Sequence, residues 1–205
     1  PGLAKRFGDT SAWDNGAEPR CIAISPDGKF GLTGNTSGSI RIWDLQTGLM
    51  TRELAQHDGW VGALAFAANG GTFLSIGYDG VLRVWELPGG TLKQSFKTAT
   101  TSAISLAVSA DGSRATASSK DRCGFEVFSL VDGSVVARLP GHETAASRVA
   151  MNVDGTVVVS KSFDRSIKGW DVASAHELWS ASDADPQAML FLSADGQTLL
   201  SNAYA

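Results

Sequence analysis

Two sets of residues in this sequence are of the types that carry out nucleophilic chemistry. Each set contains a histidine, a serine and an aspartate in the same order and at the same spacing: His57, Ser75 and Asp79 in the first, His142, Ser160 and Asp164 in the second. A histidine that activates a serine and is itself oriented by an aspartate is the arrangement of many hydrolases. A hydrolase also needs an oxyanion hole and an open cleft, and the sequence contains no Gly-x-Ser-x-Gly nucleophile elbow.

Metal and cofactor chemistry finds little support in the residue pattern. Cys21 and Cys123 have no CxxC partner and no neighbouring histidines at metal spacing. Asp183 and Asp185 lack the spaced run of oxygen ligands that a calcium loop uses. No glycine-rich phosphate-binding motif precedes a helical pattern. We therefore expect no catalytic residues, no metal and no cofactor within this chain.

Composition narrows the partner classes. The 205 residues are 43% hydrophobic and 19% charged, with a net charge of −4, which is typical of a globular chain. The lysines and arginines are scattered, and their longest run is Lys5-Arg6, whereas nucleic-acid binders usually carry a basic stripe. No apolar run approaches the ~18 residues of a membrane helix. We expect a protein partner, no nucleic acid and no direct membrane insertion.

The compartment is poorly constrained by the sequence. The chain begins at Pro1, and no signal peptide or targeting segment can be recognised in it. We expect a cytoplasmic location, with periplasmic and extracellular locations left open.

An internal repeat organises the whole chain. A turn signal ending in Asx-Gly recurs with glycines 42, 42, 43 and 41 positions apart, at Gly28, Gly70, Gly112, Gly155 and Gly196. An aromatic residue at a strand end recurs independently at intervals of 42, 43 and 42, as Trp43, Trp85, Phe128 and Trp170. Asp-Gly and Asn-Gly pairs favour tight hairpins because both residues tolerate positive φ.

Each repeat is predicted to contain four short strands. In the second unit these are Ala63–Phe66, Thr72–Gly77, Val81–Trp85 and Thr91–Phe96. The first strand of each unit is apolar on both faces, as in Ile22-Ala23-Ile24, which predicts a strand between two neighbouring sheets. No segment shows sustained helical periodicity.

These features resemble the WD-repeat family, whose repeats of ~40–45 residues form four-stranded propeller blades. Trp43-Asp44 and Trp170-Asp171 match the name-giving dipeptide, Trp85-Glu86 is close and Phe128-Ser129 is degenerate. Gly141-His142 retains the Gly-His pair of the family. The resemblance implies an all-β fold, a β-propeller of four-stranded antiparallel blades.

The resemblance also assigns the histidine sets a structural role. In this family the aspartate accepts from the histidine, the histidine bonds the serine, and the serine accepts the tryptophan N–H. The residues carried over are His57, Ser75, Asp79 and Trp85 in one blade, and His142, Ser160, Asp164 and Trp170 in another. The first unit keeps Thr33 and Trp43, whereas the third has Ala99 and Arg122 at the histidine and aspartate places.

The expected units are four full repeats with a partial unit at each end. Their approximate bounds are 17–58, 59–100, 101–143 and 144–185, with a partial unit at 186–205 and, at 1–16, the outer strand of a preceding blade plus a linker. Because propellers of this family usually have seven blades, we expect the chain to be part of a larger propeller.

Because the sequence supports no catalytic chemistry, we expect the function to be binding at the protein surface. WD-repeat propellers commonly act as rigid scaffolds that bind proteins through the loops into the first strand and between the second and third strands. Those positions carry Glu18, Arg20, Trp60, Tyr78, Arg122 and Phe163 here, and aromatic residues and arginine are enriched at interface hot spots. The expected function is a non-catalytic scaffold in a multi-protein assembly. The alternatives are the propeller domain of a larger enzyme or of a redox or periplasmic protein, and a propeller that holds a small ligand in its channel.

Overall fold

The computed structural model describes residues 17–182, 185–186, 189–193 and 196–201. Within these residues the chain forms eighteen β-strands and no helix. The outer strand and linker expected in residues 1–16 lie outside the described residues. The all-β fold class predicted from the repeat is confirmed.

Sixteen of the strands form four antiparallel sheets of four strands each. The first sheet contains β1 (Pro19–Ile24), β2 (Phe30–Asn35), β3 (Ser39–Asp44) and β4 (Met50–Ala55). The second contains β5 (Val61–Phe66), β6 (Thr72–Gly77), β7 (Val81–Glu86) and β8 (Thr91–Lys97). The third contains β9 (Ala103–Val108), β10 (Arg114–Ser119), β11 (Phe125–Ser129) and β12 (Val135–Leu139). The fourth contains β13 (Ala146–Met151), β14 (Val157–Ser162), β15 (Ser166–Asp171) and β16 (Glu177–Ser182), and β17 (Leu190–Leu192) pairs with β18 (Leu199–Ser201).

In every four-stranded sheet, spatial order follows chain order, so each sheet is an up-and-down meander. Its first strand contacts the first strand of the next sheet, from β1 to β5, β9, β13 and β17. The four sheets therefore stack as successive blades through their inner strands. The blades in the described part of the chain form an open row rather than a closed ring.

The repeated turn is built differently from the sequence expectation. Gly28 takes a φ of +68°, whereas Asp27 does not take a positive φ. Instead the Asp27 carboxylate accepts hydrogen bonds from the Ser25 hydroxyl (2.7 Å) and the Lys29 amide (3.1 Å). The aspartate thus stabilises the turn through its side chain, as in an Asx turn, and the left-handed conformation is left to the glycine.

Three apolar cores hold the blades together, and each lies between two sheets. The first combines Leu32, Ile40 and Ile42 of the first blade with residues of the second, including Val61 and Leu64. The other two join the second blade to the third and the third to the fourth in the same way. Since a single sheet cannot bury both of its faces, stability is shared between neighbouring repeats.

Three of the four repeated aromatic residues take part in these cores. Trp85, Phe128 and Trp170 are each buried in the core shared with the preceding blade. Trp85 also stacks on Phe73 at 5.9 Å between ring centroids. Trp43, in the first blade, is only partly buried.

The first inner strand departs from the prediction of a strand covered on both sides. Ile22 is 72% exposed, whereas Leu64, its equivalent one repeat later, is 8% exposed. Leu64 lies in the core formed with the first blade, and among the described residues no sheet packs on the corresponding side of β1. That side of β1 instead lines an open apolar cavity of about 460 Å³, together with Leu32 and Trp43.

Candidate functional site

The first histidine set forms a continuous polar chain across the second blade. His57 lies in the segment before β5, Ser75 lies in β6, and Asp79 lies in the turn after β6. His57 Nδ1 is 3.1 Å from Asp79 Oδ1, and His57 Nε2 is 2.8 Å from Ser75 Oγ. Trp85 Nε1–H, from β7, donates to Ser75 Oγ at 2.9 Å. Four elements of one blade are therefore joined through side chains.

Arg83 adds a charged group to this chain. Its Nη1 lies 2.6 Å from His57 Nδ1 and 3.0 Å from Asp79 Oδ2. Burial lowers the pKa of His57 below its ordinary value, and the Arg83 charge lowers it further against the opposing effect of Asp79. Burial alone would raise the pKa of Asp79, but hydrogen bonds from His57 and the Val81 amide hold it below its usual range. At neutral pH the pair is thus a neutral imidazole beside a carboxylate.

The fourth blade repeats the chain with a different supporting group. His142 Nδ1 is 3.2 Å from Asp164 Oδ2, His142 Nε2 is 2.7 Å from Ser160 Oγ, and Trp170 Nε1–H donates to Ser160 at 2.7 Å. Here the group that contacts both the histidine and the aspartate is Ser166, whose hydroxyl lies 2.9 Å from His142 Nδ1 and donates to Asp164 at 2.6 Å. Burial lowers the pKa of His142, the charge of Lys168 adds to this effect, and Asp164 opposes it.

The geometry of both sets explains what their serines can do. Ser75 and Ser160 are fully buried, and each oxygen already accepts an indole N–H. A nucleophile must reach a substrate carbonyl beside oxyanion donors, whereas these oxygens lie inside a blade. The arrangement can hold loops and strands in register, because a fully satisfied buried network specifies a unique arrangement of its members.

The other two blades keep less of this chain. In the first blade, Trp43 Nε1–H donates to Thr33 Oγ1 at 3.1 Å. In the third, Ala99, Ala117 and Phe128 offer no side-chain hydrogen bond at the histidine, serine and tryptophan places. Arg122, at the aspartate place, donates instead to the Ala99 carbonyl at 3.2 Å. The third blade therefore joins the same two loops through backbone carbonyls: the Arg122 bond is accompanied by a bond from the Ser119 hydroxyl to the Thr101 carbonyl and by one from the Lys120 amide to the Ser102 carbonyl.

The candidate interface residues lie where two kinds of loop meet. In each blade, the segment entering the inner strand is hydrogen-bonded to the turn between the second and third strands. The backbone bonds run from Thr36 to Glu18, Tyr78 to Trp60, Lys120 to Ser102 and Phe163 to Ala145. We call the surface formed by these loops the loop face. It carries Glu18, Arg20, Trp60, Tyr78, Lys120, Arg122 and Phe163.

Part of the loop face is a contiguous row of cations and aromatic rings. The guanidinium of Arg20 lies over the Trp60 ring at 4.6 Å, and the Trp60 and Tyr78 rings are 5.2 Å apart and tilted by 40°. The ammonium of Lys120 lies 5.1 Å from the Tyr78 ring. The row joins three blades, and we call Arg20, Trp60, Tyr78 and Lys120 the cation–aromatic row.

The remaining candidates lie outside this row. Glu18 is exposed, and its amide donates to Thr36 Oγ1 at 3.0 Å. Phe163 is 42% exposed on the fourth blade, and the described residues show no ring contact between it and the row. Lys120 was missed by sequence reasoning, although its place beside Arg122 in the loop of the third blade is visible in the repeat alignment.

Other kinds of site find no candidate in the described part of the chain. Its histidines, cysteines and acids form no group of three that could hold a metal ion. It also contains no helix long and apolar enough to cross a bilayer. Asp183, considered above for calcium, lies outside the described residues.

Comparison with known proteins identifies the repeat. The family described as "WD domain, G-beta repeat" matches residues 12–44, 48–86 and 133–171. Each match ends on the acidic residue that follows a repeat tryptophan, Asp44, Glu86 or Asp171. The matched ranges leave out 87–132, which hold most of the third unit and its degenerate Phe128-Ser129.

Several relatives are much longer proteins. The chain is 30% identical over 155 residues to a Periodic tryptophan protein 2 homolog of Caenorhabditis elegans, covering 74% of this chain and 16% of that protein. It is 27% identical to U3 small nucleolar RNA-associated protein 21 of Saccharomyces cerevisiae, covering 75% and 16%. It is 24% identical to the homolog of the latter in Schizosaccharomyces pombe, covering 79% and 18%. The chain thus spans about a sixth of the length of these relatives.

These relatives correct one expectation. A cytoplasmic location was expected because no targeting segment can be recognised, with periplasmic and extracellular locations left open. Two of the relatives are named for a small nucleolar RNA, which contradicts that expectation. Targeting signals are recognised by receptors, and a protein can also reach a compartment together with a partner. The lack of a recognisable targeting segment therefore does not place a chain in the cytoplasm.

The period of the repeat, the stacked four-stranded blades, the Ser–His–Asp–Trp chains and the matched ranges all agree, and the chain belongs to the WD-repeat family.

Proposed function

We propose that this chain is a non-catalytic scaffold that binds other proteins through its loop face, as a subunit or domain of a larger assembly. The observation that carries the proposal is the environment of Trp60 on the loop face. This side chain is 39% exposed, yet it is held between Arg20 and Tyr78. A large aromatic side chain that is both ordered and accessible is the type of residue that dominates protein interfaces.

The relatives support a kind of assembly for this scaffold. Two of them are named as associated with U3 small nucleolar RNA. We propose that this chain contributes protein contacts to a ribonucleoprotein assembly of that kind. The expectation that the chain itself makes no nucleic-acid contact stays a prediction. The alternative of a propeller attached to a catalytic domain also stays a prediction.

The test is capture of the tagged full-length protein from its own cells, followed by cross-linking and mass spectrometry. Wild type is compared with Trp60→Ala and with the matched control Leu178→Ala. Leu178 is 55% exposed on the outer strand β16. We expect protein cross-links at the loop face that Trp60→Ala loses and Leu178→Ala keeps.

Two outcomes contradict the proposal. The first is an unchanged set of captured proteins after Trp60→Ala, with the variant folded as judged by its circular dichroism. The second is a set of cross-links confined to the outer strands. Ultraviolet cross-linking of the same preparations tests the nucleic-acid expectation, because RNA joined to this chain would contradict it.

A further inference from the structure

We infer that the cation–aromatic row binds an extended acidic segment of a partner protein, with one carboxylate at Arg20 and another at Lys120. This inference rests on the proposed function, because it names the partner chemistry of the same loop face. It is carried by the geometry of the row and by the charges around it.

The row presents two cations in fixed places. Arg20 stacks on Trp60 and Lys120 lies over Tyr78, so the two rings hold the two charges at opposite ends of one aromatic pair. A guanidinium that stacks on a ring keeps its N–H edge available for a carboxylate. Stacking also restricts a long side chain in advance, which lowers the entropy cost of forming the ion pair.

These cations have no carboxylate partner among the described residues. The contacts of Arg20 and Lys120 through their side-chain charges are the two ring contacts. Arg122, close to Lys120 in the same loop, donates to a backbone carbonyl. Several cations on the rest of the blades are paired, such as Arg41 with Glu53 and Lys168 with Glu177. The loop face therefore offers positive charge that its own carboxylates do not neutralise by contact.

The same geometry favours protein over single-stranded nucleic acid. Bases bind by stacking on free aromatic faces, whereas Arg20 occupies one face of Trp60 and Lys120 lies over one face of Tyr78. The exposed acids Glu18, Asp58 and Asp121 are close neighbours of the row along the chain. A phosphate backbone carries a charge at every nucleotide and would be repelled along its whole length, whereas the proposed segment carries its charges only where they meet the two cations.

The dimensions of the row define that spacing. Its successive members are each about 5 Å apart, so the two cations are separated by at most about three such steps. An extended chain spans this upper limit in about four residues, at roughly 3.3 Å per residue. Side chains at positions i and i+4 of an extended segment lie on the same side. The expected ligand has two acidic residues four positions apart, with an apolar residue between them that contacts the edges of Trp60 and Tyr78.

The probe is a labelled nine-residue peptide with glutamates four positions apart and a leucine midway between them. Its matched control carries glutamines in place of the glutamates, and an unstructured oligouridylate is the nucleic-acid probe. Binding to the full chain is measured by fluorescence anisotropy at low and high salt. We expect the glutamate peptide to bind more tightly than the glutamine peptide, with an advantage that falls as salt increases.

Two charge reversals locate the binding site. Arg20→Glu with Lys120→Glu should weaken binding of the glutamate peptide by roughly tenfold or more, because each attraction becomes a repulsion. Lys93→Glu is the control, since Lys93 is an exposed cation on the outer strand β8 that pairs with Glu86. It should leave the affinity of the peptide unchanged.

The inference is overturned by equal binding of the two peptides, by no binding of the glutamate peptide at about 1 mM, or by no loss in the double charge reversal. Tighter binding of the oligouridylate than of the peptide also overturns it. These failures are distinct from failure of the proposed function. Cross-links that depend on Trp60 but join a partner segment without acids would overturn the inference alone.

Discussion

At the scale of single residues, the two buried serines show how one set of residue types can serve chemistry in one protein and architecture in another. Ser75 and Ser160 each accept a tryptophan N–H and contact a histidine inside a blade. Removing one member of such a network leaves its partners buried without a hydrogen bond, and that penalty exceeds the net value of the lost bond.

We expect His142→Ala to lower the free energy of unfolding by ~1–3 kcal/mol, because Ser160 and Asp164 each lose a buried contact. The measurement is urea unfolding followed by tryptophan fluorescence. His176→Ala is the control, since His176 is exposed in the turn before β16, and it should change stability by less than ~0.5 kcal/mol.

The difference between wild type and His142→Ala should also depend on pH. The pKa of His142 is lowered in the folded state, so the unfolded chain binds its proton more readily. The advantage of wild type is therefore complete above the ordinary histidine pKa of about 6.5, and it shrinks as pH falls through the lowered value. A loss of stability no larger than that of His176→Ala at pH 7.5 would remove the structural role of this network.

The identity of the network members was predictable from the sequence, but their supporting groups were not. Spacing within the repeat places His57, Ser75 and Asp79 together, because a propeller blade fixes which loops meet. Arg83 and Ser166 were missed because the third strand carries a polar or charged residue in every unit, and spacing does not show which of these side chains turns inward.

At the scale of single elements, the tight turns determine where each strand of a blade begins and ends. The sequence predicted the turn positions and the four strands of each unit, and both are confirmed by the strands of the second blade. The type of turn was not predictable, since an Asp-Gly pair fits several turn types. In the turn at Asp27 and Gly28, the carboxylate bonds of Asp27 select a turn in which glycine alone takes positive φ.

Gly141 should tolerate substitution less than Gly28, although both take positive φ, +81° and +68°. A Cβ at Gly141 would collide with the Cys123 carbonyl, whereas a Cβ at Gly28 would meet nothing within 4 Å. Gly28→Ala therefore measures the backbone cost alone. We expect Gly141→Ala to be less stable than Gly28→Ala by more than ~1 kcal/mol in chemical denaturation. Equal losses would show that the loop beside His142 is free to move away.

The third blade shows the limit of element-level prediction. Its Ala99 and Arg122 revealed from the sequence that the histidine network is absent there. The sequence did not reveal that Arg122 bridges to the Ala99 carbonyl, nor that Ser118 Oγ is buried without a hydrogen-bond partner. Such details depend on how the loop and the neighbouring strand β10 pack when the side-chain network of the other blades is missing.

At the scale of the whole molecule, each of the three apolar cores found in the described part of the chain lies between two sheets rather than within one blade. The sequence predicted this from inner strands that are apolar on both faces. It did not show that equivalent inner-strand residues are buried to different extents by the neighbouring sheets: Ile22 is exposed, whereas Leu64 is buried. The burial of a strand depends on which sheets pack against it in space, and the local sequence pattern does not contain that information.

Stacking of the blades through their inner faces is the claim on which the rest of the account depends. Nuclear Overhauser contacts between methyl groups in the selectively labelled chain test it most directly. Contacts between Leu32 and Ile42, which are paired across β2 and β3, serve as an internal reference within one blade. We predict further contacts that join Leu32, Ile40 or Ile42 to Val61 or Leu64, across the core of the first two blades. If the reference contacts are observed but no contact between the two blades is, the result would contradict stacking of the blades.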